Sequence, residues 1–110
     1  MLALIFGNKN AERILLHIFH YGEVHASGIA HDYHMALTPV LKQLNKFELA
    51  GVLVSKEIGK SRLYSFNPKS AFTKPIKEML KIVYDSIPIK EKEKIFNKRR
   101  RPRRKGKPTL

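Results

Sequence analysis

The sequence predicts a mostly α-helical α+β domain that carries one small β-hairpin. Three observations point there. Residues 34–66, HMALTPVLKQLNKFELAGVLVSKEIGKSRLYSF, pass from an apolar-periodic helix through Ala-Gly into two short strands around a glycine turn. With 110 residues and 43% apolar content, the chain can build one modest core and little more. The formal charge is +13, and cysteine is absent.

Each element has a local cause. Asn8 stands where a helix N-cap belongs, Ile14, Leu15 and Ile18 recur at helical spacing, and Gly22 stops the run, so a first helix is expected over 9–21. Glu23-Val24-His25 reads as extended, a candidate short strand leading into a second helix opened by Ala26 or Ser27, with Ile29, Ala30 and Tyr33 inward. Met35 falls in the turn, placed to plug the gap between two crossed helices. The third helix starts near Leu37, with Pro39 in its first turn, where a missing N–H costs little. Val40, Leu44 and Phe47 form its inward stripe, and Gly51 supplies the left-handed stop. Val52-Leu53-Val54 and Arg62–Phe66 are the expected strands, with Ile58-Gly59-Lys60-Ser61 at the tip. A fourth helix follows over about 74–86, with Pro75 in its first turn, and Pro88 breaks it.

A helix, a turn, a second helix and then a basic hairpin make up a winged helix-turn-helix. The third helix presents Thr38, Leu41, Lys42, Asn45 and Lys46 on its outward face, the polar and basic surface that a groove-reading helix needs. Lys56, Lys60 and Arg62 cluster around the hairpin tip, suited to phosphate contact or a minor-groove approach, with Glu57 offsetting part of the charge. Lys42 can meet a phosphate or a guanine edge, and Asn45 an adenine edge or a phosphate. The bland alternative for this face is simple solvation.

Charge is unevenly spread. Lys98, Arg99, Arg100, Arg101, Arg103, Arg104, Lys105 and Lys107 contribute eight positive charges, and residues 1–97 hold the other fourteen Lys or Arg against nine Asp or Glu, a balance of +5. A polyanionic partner explains both parts economically, and a solubilising tail is the alternative. Arg101-Pro102-Arg103 resembles the minor-groove AT-hook only loosely, since the glycine of that motif is missing, and a nuclear-import signal has the same composition. Two regions are therefore expected: residues 1–88 as the folded DNA-binding and dimerisation domain, and 89–110 as a charged, largely disordered arm, with at most a short helix over 89–97.

Ile76, Met79, Leu80, Val83 and Tyr84 form an apolar face that looks wider than a small domain's own core needs, and it is the expected dimer interface. The opening MLALIF is too short for a signal peptide or a membrane span and is expected to pack on the domain.

The segments FGNKNAERILLHIF and LNKFELAGVLVSKEIGKSRLYSFNP resemble the ArsR-like winged-helix regulators, closest to the branch found beside minimal nucleotidyltransferases. The likeness covers about residues 5–85 and rests on Phe6-Gly7, Ala50-Gly51 and Tyr64-Ser65-Phe66-Asn67-Pro68. It implies a cytoplasmic, nucleoid-associated, dimeric protein that binds double-stranded DNA as a transcriptional regulator, simplest as a repressor. By position, it places Thr38, Leu41, Lys42 and Asn45 on the recognition helix and Lys60 and Arg62 on the wing. Two features depart from the pattern: His34-Met35-Ala36 replaces the usual glycine turn, and the Arg-rich tail is extra.

Other chemistries find little footing. His17, His20, His25, His31 and His34 fall within eighteen residues, but without cysteine no set of three or four zinc ligands is visible, and surface or interface histidines are expected. There is no phosphate loop, no paired-carboxylate site and no nucleophile-base signature, so neither enzyme activity nor a cofactor is expected. Two rivals remain. One is an interaction module docking on a nucleotidyltransferase-type partner through residues 76–84. The other is a nonspecific DNA or RNA binder dominated by the tail.

Overall fold

The computed structural model describes residues 7–96. Met1–Phe6, expected to pack on the domain, and Lys98–Leu110, with Arg99, Arg100, Arg101, Arg103 and Arg104, lie outside the described residues. The elements run α1 (Lys9–Tyr21), β1 (Glu23–His25), α2 (Ala26–Tyr33), α3 (Leu37–Leu49), β2 (Leu53–Ile58), β3 (Ser61–Phe66), α4 (Thr73–Ser86) and α5 (Ile89–Phe96). Among the described residues the architecture is α+β, mostly helical with one three-stranded antiparallel sheet, and no helix is long and apolar enough to cross a membrane.

Local chemistry sets the ends of α1. The Asn8 side chain accepts the Ala11 N–H at 2.7 Å, and Gly22, at φ 87, donates its N–H to the Ile18 carbonyl. The strand order is β1-β3-β2: Glu23–His25 is a short strand, as its extended character suggests, and it pairs with the return strand of the hairpin, Val24 opposite Tyr64. The hairpin is longer than expected. Pairing runs from Leu53 with Phe66 out to Ile58 with Ser61, leaving only Gly59 and Lys60 in the loop. Gly59 has φ 62 at the first loop position, the sign a type II′ turn requires. Val24, Leu53 and Tyr64 face the core, where they meet Ile14, Leu15, Ile18, Ile29, Val40 and Leu44.

Asn67 ties the hairpin exit to the end of α3. Its N–H bonds the Val52 carbonyl, its side-chain amide donates to the Gly51 carbonyl, and its own carbonyl accepts the Thr73 hydroxyl that opens α4. Helix α4 then lies on α1. The apolar face of α4, expected at a dimer interface, is largely engaged within the chain. Leu80 and Val83 are buried in the chain's own core, and Ile76, Met79 and Tyr84 pack against it. The apolar side chains that α4 and its flanks leave exposed are instead Phe72, Ile82 and Ile89.

Residues 89–96 are the short helix that the sequence allows there, and it is anchored to the domain. They form α5, whose Phe96 is buried, and the Tyr21 hydroxyl donates to the Phe96 carbonyl at 2.9 Å. The folded unit therefore extends past residue 88. Phe96 sits in an aromatic cluster, stacked on His20 with centroids 4.4 Å apart and edge-on to Tyr21 and Tyr33.

The histidines separate in the fold. His17 is not at the surface: it is fully buried, with Nε2 2.7 Å from a carboxylate oxygen of the equally buried Asp32 on α2, and with Tyr21 and Tyr33 around it. Burial holds the Tyr33 phenol well above its ordinary pKa. His20 lies nearer solvent, its Nδ1 2.7 Å from the Tyr84 hydroxyl. Its pKa is lowered, first by burial and then by the charge of Lys92.

Two outcomes follow from this packing. Removing one member of the buried pair takes a 2.7 Å partner from the other, so Asp32→Leu should cost about 3 kcal/mol in denaturant unfolding. The double variant His17→Leu/Asp32→Leu should lose clearly less than the sum of the single changes, whereas strict additivity would show the pair to be uncoupled. For His20, the folded state binds a proton less readily than the unfolded chain, whose histidine titrates near 6.5. Its contribution is therefore intact above pH 6.5 and is lost as pH falls below it. Melting temperatures at pH 7.5 and pH 5 should differ more for the native chain than for His20→Phe, and equal shifts would contradict this.

Candidate nucleic-acid interface

Helices α2 and α3 are joined by His34, Met35 and Ala36. His34 takes the left-handed conformation, φ 56 and ψ 48, that glycine usually fills at this place. Its N–H reaches the His31 carbonyl, and the Met35 N–H reaches the Ala30 carbonyl at 2.8 Å, closing the end of α2. The end of α3 repeats the design with Gly51 at φ 82, its N–H on the Glu48 carbonyl and the Val52 N–H on the Phe47 carbonyl. The missing glycine of the α2 turn is thus replaced by a histidine that bears the strain. Met35 is half-buried against the core between the two helices.

Helix α3 is divided cleanly. Val40 and Leu44 are fully buried and Phe47 is half-buried, which fixes the rotation of the helix on the domain. Thr38, Leu41, Lys42, Asn45 and Lys46 consequently all face solvent. At its N-terminal half, α3 borders a cleft of about 320 Å³. One wall is Leu37 and Leu41, a second is His25, Ala26 and Ser27 at the start of α2, and the third is Lys60, Ser61 and Arg62 of the hairpin, with Tyr64 at the base. The β1–β3 pairing builds this cleft, because it sets His25 opposite Leu63 beside the hairpin tip, and the His25 ring binds the Arg62 carbonyl.

Two of the hairpin cations are held differently. Lys60 is exposed in the two-residue loop. Arg62 reaches back across the hairpin, donating to the Ser55 hydroxyl at 3.0 Å and lying 3.4 Å from the Glu57 carboxylate. Ser55 in turn donates to Glu48 on α3, so an exposed hydrogen-bonded chain braces the hairpin against the helix. Exposed pairs of this kind contribute little to stability, and their role here is orientation. Burial, followed by the Glu48 charge, raises the Tyr64 phenol above its ordinary pKa, so it stays protonated at the base of the cleft. Among the described residues, no three His, Asp or Glu side chains converge as a metal site would require.

Thr38, Leu41, Lys42, Asn45 and Lys46 are thus all exposed on α3, and of these Leu41 shares the cleft with Lys60 and Arg62, whereas Leu80 and Val83 are buried and Ile76, Met79 and Tyr84 half-buried on α4. Sequence reading missed Leu37, His25, Ser27 and Ser61 as part of the same surface. Only Leu37 carried a signal, one helical turn before Leu41.

The left-handed His34 is directly testable. His34→Gly removes the side-chain clash of that conformation and should leave the fold intact, raising stability by up to about 1 kcal/mol. A lower denaturant midpoint would mean that the imidazole contributes a contact outweighing the strain. Comparison of the chain with family models and with curated proteins returned no match.

Proposed function

We propose that this chain is a winged helix-turn-helix protein that binds double-stranded DNA sequence-specifically and regulates transcription, with α3 as the recognition helix and β2–β3 as the wing. The observation that carries this reading is the cleft where Leu37 and Leu41 of α3, the start of α2 and the hairpin tip meet, next to an exposed helix face bearing Thr38, Lys42, Asn45 and Lys46. A B-DNA major groove is about 12 Å wide and admits one helix. Thr38, Leu41, Lys42, Asn45 and Lys46 would then face base edges and flanking phosphates, while Lys60 and the Ser27 end of α2 meet the sugar-phosphate backbone. The N-terminal end of α3 adds a partial positive charge on the same side.

As a homodimer, two such helices would read half-sites about 34 Å apart in a near-palindrome, and occupancy would repress by excluding polymerase. With the predicted dimer residues used inside the chain, Phe72, Ile82 and Ile89 are the apolar side chains that α4–α5 leaves for a partner copy. The eight cations of residues 98–110 would add affinity without sequence choice.

Selection from a random duplex library, with the full chain and with a form lacking residues 98–110, tests this. One near-palindromic site should be enriched by both forms. Truncation should reduce the steepness of log K against log salt by about 5, if about six tail charges neutralise phosphates. Lys42→Ala and Asn45→Ala should each lose roughly 1–3 kcal/mol of discrimination at one position of the site. Binding that never chooses a sequence and vanishes with the tail would overturn the proposal.

A further inference from the structure

Two leucines on the solvent side of α3 are unexplained by the fold. Leu37 is 46% exposed and Leu41 43%, although the inward stripe of α3 is already supplied by Val40, Leu44 and Phe47. They stand one turn apart on the same side of the helix and together form the apolar wall of the cleft. The remaining walls are of opposite character: Ser27, Ser61, Lys60 and Arg62 offer hydroxyls and positive charge. An occupant must therefore present an apolar group within a few ångströms of an anionic chain. Duplex DNA does so at one place, because the C5-methyl of thymine is the apolar group on the base edges of the major groove.

We infer that Leu37 and Leu41 form a methyl-reading subsite, so that the chain selects thymine at the base steps beneath the first two turns of α3. The inference rests on the DNA-binding reading above and adds to it the chemical group that is recognised. Leucine has no donor or acceptor, so it cannot read a guanine, adenine or cytosine edge by hydrogen bonding. It can only gain by covering apolar surface, and each methyl so covered is worth roughly a fourfold change in affinity. The cationic rim holds the backbone and the leucines choose the base. The same subsite separates DNA from RNA, since uracil lacks the methyl and the deep, narrow major groove of A-form RNA keeps side chains out.

The test uses the full chain and the duplex pool that it selects from a random library, remade with uracil in place of thymine on both strands. This change deletes methyl groups and leaves every hydrogen-bonding edge intact. Binding to the uracil pool should be roughly four- to fifteenfold weaker than to the thymine pool, one or two methyls' worth. The double variant Leu37→Ser/Leu41→Ser, at solvent-facing positions that the core does not need, should bind both pools with nearly equal affinity. Equal binding of the two pools by the native chain would overturn the inference and leave sequence-specific DNA binding standing. Thymine preference that persists undiminished in the double leucine variant would overturn it as well. Failure to select any duplex sequence would instead remove the DNA-binding reading itself, and the subsite with it.

Discussion

The buried contact between His17 and Asp32 is the constraint on which the helical half of this domain depends. Two groups that water would otherwise solvate are both fully enclosed, and their contact at hydrogen-bond distance offsets part of the cost of burying them. Apolar packing tolerates sliding, but a 2.7 Å polar contact in a dry interior does not. It therefore fixes where α2 crosses α1, with Tyr21, Tyr33 and Phe96 excluding water around it. Because the turn after α2 is only three residues long and is closed by two backbone hydrogen bonds, the position of α2 also sets where α3 begins.

The second constraint is the central place of β3. Pairing with β2 makes the hairpin, and pairing with β1 attaches that hairpin to the chain just before α2. One strand thus carries positional information from the helical core to the loop at Gly59-Lys60. The cleft beside α3 is the geometric result: three segments distant in sequence are brought together by ladder hydrogen bonds on one side and the Val40–Leu44 stripe on the other. Its chemistry is mixed for the same reason. The helix contributes leucines and the hairpin contributes cations, and neither surface alone would describe an occupant.

Legibility in the sequence followed the range of the interactions. Asn8, Gly22 and Gly51 mark helix ends through their own backbone chemistry, and these ends were readable to within a residue. The outward face of α3 was readable as well, since Val40, Leu44 and Phe47 repeat at helical spacing and leave Thr38, Lys42 and Asn45 outside. His34 shows the limit of such signals: it occupies a glycine conformation without being glycine, so the turn had to be inferred from its neighbours. The face formed by Leu80 and Val83 was recognised as apolar, yet whether it meets α1 or a second chain depends on a contact some sixty residues away. Phe96 illustrates the same point, because a single aromatic in a charged stretch gives no periodicity, and its burial depends on rings from α1 and α2.

The sequence by itself determined the order and type of the elements, the polar face of α3, the basic hairpin tip and the charged C-terminal run, all of which follow from residues within one or two helical turns of each other. Tertiary structure alone decided that a histidine in a row of five is core and paired with Asp32, that Glu23–His25 is a strand of the hairpin's sheet, and that the apolar face of α4 closes the chain's own interior. It also decided that Leu37 and Leu41 share a cleft with Lys60 and Arg62. The division is physical: capping and periodicity are properties of a short stretch of chain, whereas burial and pairing belong to two stretches at once and exist only when the chain has folded.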